Sequence, residues 1–189
     1  MAGVLLDYQT LRDHRVRPLA FLNDSKQLDT AHRELLFRAV VAAAERISVR
    51  IVTHLEIDRV GLHACNLSGL REVLSALSPP AETCLVDGFR LGPEAPEHIA
   101  VVDGDERSAA IAAASIVAKV IRDRAIRRLD AVFPQYGFSS HVGYITPRHS
   151  SRVRDHGPSP IHRRSFDALC YSRLWPGPLP AGEAGPHGP

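Results

Sequence analysis

The chain has 189 residues, of which 44% are hydrophobic and 23% charged, and its formal net charge is +2. This balance is typical of one folded domain with a real core, and the weak positive charge permits a nucleic-acid partner without requiring one. The sequence contains no apolar run of membrane-spanning length and no signal-peptide pattern, so we expect a cytoplasmic protein that does not bind membranes. The three cysteines form no paired motif, which argues against a disulfide framework or a cysteine-based metal site.

The first half of the chain alternates between strand and helix patterns. Residues 2–6 are a strand-like apolar run, and Asp29 or Thr30 is placed to cap a helix that continues to about Arg46. Residues 47–53 alternate as a strand, and residues 56–61 predict a short turn or helix. The next helix ends at Ser78-Pro79-Pro80. Its apolar stripe consists of Leu62, Cys65, Leu70, Val73, Leu74 and Leu77.

Two short apolar runs, residues 83–86 and 99–102, each lead directly to an aspartate, and a long helix is predicted over residues 108–132. This alternation indicates an α/β fold in which helices flank a mixed sheet. We expect one domain over residues 1–174. Proline and glycine dominate afterwards, so residues 175–189 are predicted to be a disordered tail.

Two aspartates stand where such a fold places ligand-binding groups. Asp87 follows the apolar run that ends at Val86, and Asp105 follows the second run, which can return the chain to the same sheet edge. Mg²⁺ and Mn²⁺ prefer carboxylate oxygens, and such ions can activate water for phosphodiester hydrolysis. The alternative is that both aspartates only cap helices or form turns.

The long helix carries a polar stripe. Ser115, Lys119, Arg122 and Asp123 follow helical spacing and share a face, so Ser115 and Lys119 are candidates to reach a phosphate or to orient a carboxylate. The small residues 112–114 favour close packing against a sheet. A solvated helix face is the ordinary interpretation of Arg127, Arg128 and Asp130, and it remains the alternative for Lys119.

A basic and aromatic cluster lies near the end of the domain, in a stretch that we predict to be rich in loops. It contains His141, Tyr144, His149, His162 and Arg163, together with further arginines. Cations neutralise phosphates and a tyrosine can stack on a sugar or base, so the cluster suits a nucleic-acid surface. A half-buried tyrosine among arginines that only aid solubility is the alternative.

The order of these segments resembles the type 2 ribonuclease H family, ribonuclease HII, from about Asp24 to Phe166. The matching segments are Asp24-Ser25-Lys26-Gln27-Leu28, Glu56-Ile57-Asp58, Val86-Asp87-Gly88, Gly104-Asp105 with residues 108–124, His141-x-Gly143-Tyr144-x-Thr146-x-x-His149, and residues 157–166 with His162-Arg163-x-Ser165-Phe166. Several specific blocks in one order make a much stronger match than any one of them.

The resemblance implies a ribonuclease H-like fold and endonucleolytic cleavage of the RNA strand in RNA/DNA hybrids, including ribonucleotides embedded in duplex DNA. It implies four acidic residues with Mn²⁺ or Mg²⁺. Asp87 and Asp105 would be the third and fourth acids, both catalytic and metal-binding. Tyr144 would pack on the sugar at the ribonucleotide junction, where the 2′-hydroxyl distinguishes RNA. The resemblance also implies a supporting role in substrate binding for Ser115, Lys119, His141 and Arg163. The protein is expected to be a monomer.

One family segment is absent from these 189 residues, namely the Asp-Glu-x-Gly-Arg-Gly strand that brings the first two acids. We therefore expect a fold without its first strand, and cleavage that is weak or absent in the chain as written. Three hypotheses remain: a ribonuclease HII whose true start lies upstream, a short form that binds hybrids without cutting them, and an unrelated Mg²⁺-dependent phosphohydrolase.

Overall fold

The computed structural model describes residues 1–9 and 29–166. The motif at residues 24–28 and the tail predicted at residues 175–189 therefore lie outside the described residues. The chain divides into two compact units, the first comprising residues 1–51 and 63–124 and the second comprising residues 52–62 and those from 125 onward. Within the described ranges, no helix combines the length and apolar character needed to cross a membrane.

The first unit contains four short strands in two ladders. Strand β1 (Ala2–Leu5) pairs antiparallel with β2 (Arg46–Val49), with Ala2 opposite Val49. Strand β3 (Leu85–Asp87) pairs in parallel with β4 (Ile99–Val101). All four predicted strands are confirmed, although each is shorter than its apolar run. Among the described residues they form two separate two-stranded sheets, one antiparallel and one parallel.

Seven α-helices lie wholly within the described ranges. In chain order they are α1 (Thr30–Ala43), α2 (His54–Val60), α3 (Leu62–Leu77), α4 (Gly104–Arg107), α5 (Ala109–Leu129), α6 (Phe138–His141) and α7 (Pro147–His156). The predicted cap is confirmed, because Asp29 Oδ1 accepts from the His32 amide over 2.8 Å. The helix predicted over residues 108–132 is α5, and the α/β class is confirmed.

The core of the first unit is a contact between α1 and α5. Leu36 and Val40 pack with buried residues of α5, and Val4 of β1 lies against the same cluster. The predicted close packing by small residues is confirmed at Ala112 and Ala113, which are fully buried. Asp123 was predicted to be on the polar stripe of α5, yet it is only 4% exposed, because neighbouring cations neutralise its charge.

The core of the second unit is aromatic. Tyr136, Phe138 and Val153 are buried together, and the Tyr136 hydroxyl donates to the carbonyl of Gly157 over 2.8 Å. Helix α7 lies inside the stretch that we predicted to be rich in loops, so that prediction is wrong there. Its start is specified by Thr146, whose hydroxyl oxygen accepts from the amide of His149 over 3.1 Å.

Candidate active site

Asp87 lies at the end of β3, where the backbone holds its carboxylate. Asp87 is opposite Val101 in the parallel ladder, and the chain leaves the strand through Gly88 at φ +69°, whose amide donates to the Val101 carbonyl over 2.8 Å. A positive φ costs glycine little, so the chain can turn sharply after the aspartate. The Asp87 side chain thereby lies at the carboxyl end of the strand, directly after the apolar run, as the sequence predicted.

Gly104 and Asp105 form the second part of the candidate site. The amide of Gly104 donates to Asp87 Oδ1 over 3.0 Å, so the start of α4 is joined to the end of β3. A β-carbon at position 104 would lie 2.6 Å from Ile111 Cδ1 and 3.0 Å from Asp87 Oδ1, which explains why glycine is needed there. Asp105, the next residue, is 8% exposed. The structure therefore brings the segments that carry the two predicted acids into direct contact.

The donor chemistry of these side chains suits a hard divalent cation. Asp87 and Asp105 supply carboxylate oxygens, which are the groups that Mg²⁺ and Mn²⁺ prefer. Among residues 1–9 and 29–166, no three histidine, cysteine, aspartate or glutamate side chains are grouped so as to hold a metal ion. Asp87 and Asp105 are therefore two oxygen donors of the kind that such an ion prefers, on segments joined by the hydrogen bond from Gly104 to Asp87.

Helix α5 places a second charged group in the first unit. Asp123 Oδ2 lies 3.2 Å from Lys119 Nζ, and Asp123 Oδ1 accepts from Arg122 Nη1 over 2.8 Å. Arg33 Nη1 of α1 is 3.8 Å from the same carboxylate. Lys119 therefore pairs with a buried carboxylate of its own helix, and its role in substrate binding stays a prediction. Ser115 is exposed on the same helix.

Tyr144 follows a turn with unusual backbone geometry. Val142 and Gly143 have φ values of +43° and +78°, and the amide of Tyr144 donates to the His141 carbonyl over 2.9 Å. Tyr144 is 48% exposed. His141 is buried, and because its Nδ1 accepts from the Gly143 amide over 3.2 Å, its Nε2 carries the proton and donates to the Tyr136 carbonyl over 3.0 Å.

Three imidazole rings gather beside this turn. The rings of His141 and His149 stack with centroids 4.2 Å apart, and His149 Nε2 lies 3.1 Å from His162 Nε2. Burial lowers the pKa of His149. Burial, together with the neighbouring His149, lowers the pKa of His162 to about 4. Both rings are therefore neutral at pH 7.

With this geometry in place, the comparison with known proteins is informative. The family model described as Ribonuclease HII matches residues 2–169. The chain belongs to the ribonuclease HII family. Ribonuclease HII of Salinispora tropica is 45% identical over 145 residues, which cover 77% of this chain and 54% of that protein. Ribonuclease HII of Solibacter usitatus is 44% identical over 159 residues, covering 84% and 69% of the two chains.

The chain spans about half the length of several of the curated relatives it matches.

Solved structures agree with the family. The ribonuclease H2 from Pyrococcus horikoshii has a TM-score of 0.69 at 26% identity, covering 86% of this chain and 83% of that one. The structure of the PCNA:RNase HII complex from Archaeoglobus fulgidus matches with a TM-score of 0.68 at 26% identity, covering 89% of both chains.

Two segments that resemble ribonuclease HII motifs meet inside the second unit. Asp58 of α2 accepts from the amides of Arg164 and Ser165 over 2.8 and 2.9 Å and from the Ser165 hydroxyl over 2.7 Å. Partial burial opposes the Asp58 charge, but these hydrogen bonds outweigh it and lower the pKa of Asp58. The guanidinium of the adjacent Arg163 lies 4.8 Å from the centre of the Phe166 ring.

Sequence reasoning assigned no role to Asp58, and it treated His149 and His162 as members of a basic cluster and of family motifs without giving either a role of its own. No local pattern links Asp58 to Ser165, because the two residues are 107 positions apart. The start of α7 had a usable signal. Thr146 followed by Pro147 is a typical N-cap and first helical residue, and this pair would have placed His149 on a helix.

Proposed function

We propose that this protein is an endoribonuclease that cleaves the RNA strand of RNA/DNA hybrids and cuts at ribonucleotides embedded in duplex DNA. The observation that carries the proposal is the contact between the end of β3 and the start of α4, where Gly104 binds Asp87 next to Asp105. By the motif resemblance, Asp87 and Asp105 would be two of the family's acids. Relatives named Ribonuclease HII support the same assignment.

Asp87 and Asp105 would hold the metal, with Mn²⁺ or Mg²⁺ as the expected ion. When bound, such an ion lowers the pKa of water and stabilises the leaving oxygen of a phosphodiester. The Gly104 amide orients the Asp87 carboxylate before any ligand arrives, because it occupies a lone pair of Oδ1. Such preorganisation reduces the reorganisation needed during the reaction.

The nucleic acid would be bound by the side chains predicted from the sequence, of which Ser115 and Tyr144 are exposed and Lys119 and Arg163 are partly exposed. Tyr144 would pack against the sugar of the ribonucleotide, where the 2′-hydroxyl distinguishes RNA from DNA. Arg163, Lys119 and Ser115 would contact phosphates, and cationic contacts of this kind make binding depend on salt. His141 would support Tyr144 through the turn that joins them, since its ring nitrogens bond to backbone groups.

The test uses the 189-residue chain and a labelled duplex that contains one ribonucleotide, with the matching all-DNA duplex as the control. We expect preferential binding of the first duplex and, as predicted for the chain as written, no more than weak Mn²⁺-dependent cleavage of its ribonucleotide-containing strand. Binding without cleavage would instead favour the hybrid-binding hypothesis. Hydrolysis of a small phosphate ester, with neither duplex bound, would overturn the proposal in favour of a different phosphohydrolase.

A further inference from the structure

We propose that His149 and His162 are positioning residues for Tyr144, acting through a chain of hydrogen bonds from the backbone of Ser159 to the carbonyl oxygen of Tyr144. The inference rests on the proposed function, because Tyr144 is the predicted sugar contact. It assigns a purpose to two imidazole rings in the second unit, one buried and one partly exposed, that the nuclease chemistry itself leaves unused.

The direction of the chain follows from its first donor. The amide of Ser159, which can only donate, lies 3.0 Å from His162 Nδ1, so that nitrogen is the acceptor and the proton of His162 is on Nε2. This Nε2–H donates to His149 Nε2 over 3.1 Å. The proton of His149 is then on Nδ1, which donates to the Tyr144 carbonyl over 3.0 Å.

Only neutral rings can complete this chain. A second proton on His149 would make two N–H groups face each other across the 3.1 Å contact between the Nε2 atoms, and a second proton on His162 would face the Ser159 amide, 3.0 Å from Nδ1. The surroundings favour the neutral forms, since Phe138 lies with its ring centroid 5.8 Å from each imidazole and His149 is 3% exposed. Burial lowers the pKa of both rings, which agrees with this arrangement.

The turn that the hydrogen-bond chain supports is strained and is held by its surroundings. Val142 is β-branched and has a φ of +43°, a conformation that such a residue adopts only when its surroundings hold it. The two backbone polar groups of Tyr144 are each bonded, the amide to His141 and the carbonyl to His149. This chain of hydrogen bonds, called the relay below, therefore fixes the backbone of Tyr144, which follows the strained residue. The fixed backbone in turn sets the direction of the exposed Tyr144 side chain.

The experiment measures how strongly each variant prefers the one-ribonucleotide duplex over all-DNA duplex, by fluorescence anisotropy without added divalent metal. His149→Leu removes the donor to Tyr144, and we expect the preference to fall on the order of tenfold. His149→Asn retains an N–H near the position of Nδ1 but has no acceptor for His162, so it should restore part of the preference. His156→Asn, at the exposed end of the same helix, is the matched control and should behave as the unmodified chain.

Tyr144→Ala provides the reference for losing the contact itself. We expect Tyr144→Ala combined with His149→Leu to lose no more preference than Tyr144→Ala alone, because both changes remove one effect. His162→Asn accepts from Ser159 but lacks the donor to His149, so it provides a second break in the chain should His149→Leu fail to fold. Full preference in a folded His149→Leu or His162→Asn variant, alongside loss in Tyr144→Ala, overturns the proposal.

A readout that does not involve nucleic acid separates this proposal from the proposed function. In ¹⁵N NMR spectra at pH 7 we expect the proton on Nδ1 of His149 and on Nε2 of His162, and we expect the Tyr144 amide signal to move in His149→Leu but not in His149→Asn. The opposite tautomers overturn the relay. If the unmodified chain shows no preference for the ribonucleotide duplex, the proposed function fails, and the NMR result alone decides the relay.

Discussion

The carboxylate region around β3 and α4 differs from the histidine region around α6 and α7 in how each holds its polar groups. In the first, an acidic side chain at a strand end is held by a backbone amide within a short stretch of chain. In the second, imidazole rings are buried among aromatic rings and remain neutral. Local backbone geometry therefore positions the charged groups of the first region, whereas packing positions the neutral polar groups of the second.

The largest expected effect is in the carboxylate region. Asp87→Asn and Asp105→Asn should each reduce Mn²⁺-dependent cleavage on the order of a hundredfold or more, because each loses an anionic ligand. The amide oxygen introduced by Asp87→Asn would still accept from the Gly104 amide, so the local fold should persist. Asp103→Asn is the matched control, since Asp103 is exposed and asparagine tolerates its φ of +51°. Calorimetric titration with Mn²⁺ checks the ligand role separately, and unchanged affinity in both variants would contradict it.

Gly104→Ala should destabilise the first unit by about 1–3 kcal/mol, because the new methyl group would overlap Ile111 and crowd Asp87. Urea denaturation measures the free energy of unfolding. Adding Ile111→Val removes the Cδ1 atom that lies 2.6 Å from the new carbon, so the double variant should recover part of the loss. A double variant less stable than Gly104→Ala alone would show that the close contact is not the cause.

In the histidine region, the free energy of unfolding should depend on pH in the opposite sense to that expected for a salt-bridged histidine. His162 has a lowered pKa of about 4 in the folded chain, so between pH 6.5 and 4 the unfolded chain binds more protons. Stability is therefore fully present above pH 6.5 and falls as the pH approaches 4, by on the order of 2 kcal/mol for this partly exposed ring. His149, His141 and His54 are the titratable neighbours that act on it.

Urea denaturation at pH 7 and pH 4.5 checks this sign. His162→Asn should flatten the pH dependence of the free energy of unfolding, while His156→Asn should leave it as in the unmodified chain. Greater stability at pH 4.5 than at pH 7 would show that the buried rings are not neutral.

Asp58→Asn should have the smallest effect, a loss of about 1–2 kcal/mol, because asparagine keeps one acceptor oxygen but no negative charge for the two amides and the hydroxyl. Asp155→Asn is the matched control. Asp155 is exposed and its carboxylate meets the Ser151 hydroxyl at 3.3 Å, so its loss should be below about 0.5 kcal/mol. If the two substitutions caused equal losses of stability in thermal denaturation, Asp58 would not stabilise the 163–165 segment.

Much of the carboxylate region was predictable because its features are local. Val86 and Asp87 follow one another in a strand, and the second apolar run returns the chain in parallel to place Gly104 beside Asp87. The site roles of Asp87, Asp105, Ser115, Lys119, His141, Tyr144 and Arg163 stay predictions. Asp123 shows the limit of such reasoning, since helical spacing predicted only that it lies on a polar stripe, and only the cations around it explain its burial.

The sequence by itself determined the α/β class, the helix capped at Asp29, the strand that ends at Asp87 and the family resemblance, because hydrophobic periodicity and motif order are local properties of the chain. Tertiary structure alone decided that Asp58 holds Ser165, and that His162 and His149 connect Ser159 to Tyr144. These contacts join residues that have no periodic relation, and they are maintained by burial and directional hydrogen bonds, which become defined only once the chain has packed.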